Sequence, residues 1–184
     1  MPTDHCHLFK SYRRKRRVES AFDVTGPSYD LLVGLHALSA VVGFGAVGVS
    51  GTYAARARAA AEPRQDPGLQ RYFHPSTNWA ERSLLLTPVL GAMVLWAGDR
   101  SAASQPWPWI GLGCWVLAAA IATSRCWPAE RKIQTWLAAA PDCGERPLPG
   151  LVEFRDACRV VQRGASAISL CFLAAVVAMI WQPR

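Results

Sequence analysis

Four long stretches of this chain, residues 31–55, 83–98, 101–124 and 164–183, contain no ionisable side chain apart from His36, Tyr53 and two cysteines. No other feature constrains the fold as strongly. A hydrocarbon layer roughly 30 Å thick is crossed by about 20 apolar residues in a helix, and within it every backbone amide and carbonyl must be satisfied internally. The four stretches hold most of the 51% of residues that are apolar, and the 18% that are charged are left for the ends and connections. This segregation excludes a soluble enzyme with one aqueous core, a disordered tail protein and a secreted disulfide scaffold. It predicts an all-α membrane protein with four transmembrane helices in an up-down bundle.

The spans are expected at about 29–52, 79–98, 108–127 and 163–182, within a membrane domain covering residues 28–184. Residues 1–27 read as a basic mobile tail, and nothing is left for a separate folded domain. Tyr29 and Tyr53 flank the first span and Trp107 and Trp109 open the third, placing amphipathic rings at the water–lipid boundary. Thr87 and Pro88 predict a kink in the second span, because an internal proline removes one amide bond and crowds the carbonyl four residues back. Glu81 and Arg82 read as a solvated charge pair at the start of that span, with Arg82 snorkelling to a phosphate or carboxylate headgroup. Pro128 is expected to disturb the third span. Beyond it, Ile133, Trp136 and Leu137 are read as one face and Glu130, Arg131 and Lys132 as another, which predicts a segment lying on the membrane surface.

A net charge of +7 first suggests a polyanionic partner. The cations crowd the ends of the spans instead, at Arg56, Arg58, Arg125, Arg159 and Arg163, where they fix topology and meet anionic headgroups. The expected partner is the lipid bilayer, and no nucleic acid. Loops 53–78 and 128–162 carry the juxtamembrane arginines and are expected to be cytoplasmic, in a multi-pass protein of the bacterial inner (plasma) membrane. The Lys10–Arg17 cluster is separated from the first span by Glu19, Asp23 and Asp30, which favours an uncleaved tail over a signal peptide.

None of the six cysteines forms a Cys-x-x-Cys pair, so no metal site is expected. The His5, Cys6 and His7 cluster reads as incidental, and a Cys143–Cys158 pair in a cytoplasmic loop would be kept reduced. No nucleotide-binding glycine loop, HExxH, GxSxG or paired intramembrane carboxylates are present, and no catalytic residue is assigned. In the first span Ser39 with Gly43, and Ala46 with Ser50, are small residues four apart, a pattern that lets helices approach closely. The partner would be a neighbouring helix, a second copy or another membrane protein. His36 is the one histidine inside a span. Its imidazole is suited to binding haem iron or relaying a proton, and equally to donating a hydrogen bond to a carbonyl or hydroxyl in the bundle.

The stretch YDLLVGLHALSAVVGFGAVGVSGTYAARAR, followed by TPVLGAMVL, resembles a bacterial family of predicted integral membrane proteins, small four-helix proteins with a domain of unknown function. The likeness covers most of residues 28–184. More distantly, LLVGLHALSAVVGFG is similar to the opening helix of the copper-resistance D and HemJ-type protoporphyrinogen oxidase group, and that resemblance implies a haem ligand at His36. Three functions are therefore expected in order: a helix-packing, partner-binding membrane component; a haem-binding membrane redox protein using His36; and small-molecule permeation or export.

Overall fold

A computed structural model describes residues 26–76, 78–98, 100–139 and 150–181. The basic cluster Lys10–Arg17, the His5, Cys6 and His7 trio and Cys143 lie outside the described residues. Every regular element among those described is helical, and the chain is all-α: α1 Pro27–Ala59, α2 Pro67–Tyr72, α3 Trp79–Arg82, α4 Thr87–Ala97, α5 Pro106–Ile121, α6 Trp127–Ala138 and α7 Leu151–Trp181.

Prolines set several of the starts. Pro27, Pro67 and Pro106 each stand in the first turn of their helix, where the missing amide has no intrahelical partner to lose. Helix α1 runs past the apolar stretch to Ala59, and the chain resumes at Pro63. Asp66 then caps α2 by accepting from the Gly68 and Leu69 amides, and Arg56 on α1 bonds the same carboxylate at 2.8 Å. Helices α1, α5 continuing into α6, and α7 are long and apolar enough to cross a membrane; α3 and α4, which meet at 41°, make a fourth if the bent pair is one span.

Pro128 does not interrupt the helix that α5 and α6 form together. The preceding turn, Ala122–Cys126, widens to π geometry, a local expansion that takes up the bonding a proline disturbs, and the helix continues as α6 to Ala138. The surface-lying segment expected after Pro128 is therefore corrected. Ile133 and Leu137 are buried with Leu69, Phe73, Phe154 and Val161, and α6 is the wall of a core, not a float on lipid. The physical reason is length. Helices α1, α6 and α7 all extend beyond their uncharged stretches, and their projecting ends, covered by α2, bury apolar side chains against one another.

Two cores result. The polar-end core just described includes Ala54 and Ala57 of α1. The second lies among the uncharged stretches and comprises Phe44, Val47, Leu84, Ala118, Ala122, Cys126, Ala165 and Ile168. Helix α1 packs along α7 on one side and the bent α3–α4 pair on the other, while α5 packs on α7. Contacts at opposite ends fix direction: Gly98, after α4, abuts Tyr29 at the start of α1, and Gly111 near the start of α5 abuts Met179 near the end of α7. Neighbouring helices thus run antiparallel.

Candidate functional site: a carboxyl pair between the two cores

The boundary between the cores is polar. Glu81 on α3, Glu130 on α6 and Ser50 on α1 are all buried, with only 2% of Glu81 exposed. The Ser50 hydroxyl donates to Glu130 Oε1, and the Glu81 and Glu130 carboxyl groups stand against each other and the same hydroxyl. Tyr72, on α2, closes the site from the polar side with its hydroxyl beside Ser50 and its ring stacked on Tyr53 at 4.0 Å. Burial first, and the Glu81 carboxyl second, push the Tyr72 phenol up to about 12, so it remains a proton donor throughout the physiological range.

Arg82 follows Glu81 in sequence but forms no salt bridge with it. Its guanidinium lies over the Trp127 ring, 3.4 Å from the centroid, a cation–π arrangement that holds the side chain beside the pair. Among the described residues, the ion pairs are Arg56–Asp66 and Arg159–Asp156, and neither involves a buried glutamate. Glu81 Oε1 and Trp127 Nε1 are buried with no hydrogen-bond partner.

This site was not foreseen. The sequence places Glu81 in solvent, whereas in the fold it is buried with Ser50 of α1, Tyr72 of α2 and Glu130 of α6 around it. The sequence reading puts Glu130 on the polar face of α6, and the helix period contradicts that. A separation of seven residues returns to within about 20° of the same direction, so Glu130 shares its face with Leu137 and, at three residues, with Ile133. That seven-residue arithmetic is the signal that could have found it.

The expected packing residues fall on one side of α1. Ser39, Gly43 and Ser50 are buried and Ala46 is half-buried. A Cβ on Gly43 would lie 2.5 Å from the Leu84 backbone nitrogen, and one on Gly51 would lie 2.5 Å from Ala165 Cβ, so these glycines are where α1 touches the bent pair and α7. Gly51 lies outside the two small-residue pairs read from the sequence.

His36 clamps the bend. Pro88 has no amide to offer the Leu84 carbonyl, and the Trp115 indole of α5 donates to that oxygen at 2.9 Å. His36 Nδ1 donates to the Thr87 carbonyl at 3.0 Å, with the ring against Gly91. Ser39 Oγ donates to the His36 carbonyl at 2.8 Å and lies 3.4 Å from Thr87 Oγ1. His36 and the Glu81–Glu130 pair thus meet α1 at separate places, with Gly43, Phe44 and Val47 lying between His36 and Ser50.

No family model, no curated protein and no solved structure matches this chain.

Proposed function

We propose that the chain is a multi-pass integral membrane protein, with four spans in an up-down bundle in the bacterial inner membrane and loops 53–78 and 128–162 in the cytoplasm. We further infer that it serves as a helix-packing, partner-binding component of the bilayer. The observation that supports partner binding is the outer side of α1. Gly34 and Gly45 have nothing within 4 Å of where a Cβ would stand, and eleven residues separate them, about three turns, so both point the same way. Val41 and Val49 are exposed beside Gly45. Small residues facing outward let a further helix come close, where dispersion contacts drive association in lipid.

Photocrosslinking from position 41 in native membranes tests the reading. A protein adduct is expected, reduced at least several-fold by Gly45→Leu while Gly45→Ala retains most of it. A chain that gives only lipid adducts and runs as a monomer at every expression level overturns it.

A second reading, a haem-binding redox protein, is favoured by one observation. Donation from His36 Nδ1 to a backbone carbonyl fixes the tautomer and leaves the Nε2 lone pair available to a metal. Haem would supply one-electron chemistry there. A Soret band in purified protein that disappears in His36→Ala supports this reading, and colourless, folded protein after expression with ample haem sinks it.

A further inference from the structure

Burying a carboxylate without an ion pair is costly enough that such groups acquire a counter-charge or neutralise. The boundary between the cores holds two. Around them, α1 contributes Ser50 and Tyr53, α2 contributes Tyr72, α3 contributes Arg82, and the π turn contributes the Cys126 thiol. The buried residues of α7 add one thiol, Cys158, and no charge. With both glutamates ionised, the enclosed charge sums to minus one even when Arg82 is counted. Bare carboxylates repel at contact, yet these stand side by side. Independently of that contact, Glu81 Oε1 is an oxygen on a side chain only 2% exposed that accepts from no protein group.

We propose that Glu81 and Glu130 form a binding site for a single proton, exchanged with water on the polar side of the membrane. One proton makes the enclosed charge zero. A divalent metal ion would overshoot to plus one, and among the described residues no group of three or more metal-ligating side chains gathers here to hold one. The exchange is a simple dissociation: the O–H bond of the protonated carboxyl breaks, both electrons stay on oxygen, and the proton passes to water or hydroxide. Glu130 is the less enclosed of the two, 9% exposed against 2% for Glu81, and the Ser50 hydroxyl steadies its carboxylate. The site joins α1, α3 and α6, so gain or loss of this proton changes the charge at the joint between the bent span and both cores.

Difference infrared spectroscopy of the full chain in lipid nanodiscs tests this, with a pH titration and elemental analysis for bound metals. The wild type is expected to show one protonated carboxyl per chain at neutral pH that disappears on alkaline titration with release of one proton. Glu81→Gln and Glu130→Gln, each checked for folding by tryptophan fluorescence, should each lose that carboxyl band and that proton. Ser50→Ala covers the case in which a glutamine variant fails to fold. Losing a hydrogen bond to the charged form should raise proton affinity about tenfold, moving the titration upward in pH. The proposal is overturned by wild type without the protonated band, by a band that survives in both glutamine variants, by Ser50→Ala with an unmoved titration, or by a stoichiometric metal ion in the purified chain.

Discussion

The two cores of this molecule are built from different residues although the same helices run through both. At the polar end the packing is by bulk: Leu69, Phe73, Ile133, Leu137 and Phe154 interlock, with the Trp136 and Phe154 rings stacked at 4.1 Å. Among the uncharged stretches, packing is by close approach. Gly43 meets the Leu84 backbone, Gly51 meets Ala165 and Gly164 meets the Cys126 sulfur, and polar donors such as Trp115 and His36 bridge helices. Under the proposed membrane placement, the difference follows the solvent. In water, burying large apolar side chains is itself favourable at about 25 cal/mol per Å². In lipid that gain vanishes, and helices associate through tight contact and hydrogen bonds.

This contrast is open to breakage at four points. The largest effect is expected from Phe154→Ala, because the side chain is 2% exposed and truncating a buried phenylalanine costs about 3–5 kcal/mol. Limited proteolysis and denaturant unfolding should show the polar end loosened while the uncharged stretches remain protected. Equal loss of protection in both regions would mean the cores are one cooperative unit. Next comes Gly43→Ala, which places a methyl against the Leu84 backbone and should cost about 1–3 kcal/mol of thermal stability in detergent. Gly34→Ala, facing open space, should cost nothing; comparable losses at the two positions would refute close approach as the basis of the second core.

Trp115→Phe should cost about 1–2 kcal/mol, since it leaves the Leu84 carbonyl without its donor. The cost should shrink when combined with Pro88→Ala, which returns an amide to the helix, and a double-mutant cycle measures that coupling. Additive effects would show that the indole does not serve the proline break. The smallest effect concerns Asp66 at the polar end. Desolvation pushes this carboxyl upward, but the hydrogen bond from Arg56 and those from the Gly68 and Leu69 amides together hold it below the ordinary 3.8. A folded value below the unfolded one means the cap stabilises above about pH 4 and is lost as pH falls through the depressed value. Protease cleavage within residues 60–78 should therefore rise only in that acid range, and a rise at neutral pH would contradict the sign.

Much of the fold was legible in local features. The uncharged stretches marked the long helices, Pro88 marked the bend, and Ser39, Gly43 and Ser50 marked the side of α1 that faces its neighbours. The carboxyl pair was not legible in the same way. Glu81 and Glu130 are far apart in sequence, each sits beside a cation in a polar run, and each reads alone as a solvated charge. Even the periodicity of α6, which aligns Glu130 with Leu137, says only which face it is on. It does not say that α2 and α3 cover that face.

By itself the sequence determined where charge is absent, and hence which segments are apolar helices, because the cost of placing ionised groups in hydrocarbon is local and additive along the chain. Tertiary structure alone decided what happens at the ends of those helices. Burial there depends on which ends project together and what covers them. That arrangement is a non-local property of α1, α2, α6 and α7, and it encloses two glutamates that the sequence had left in solvent.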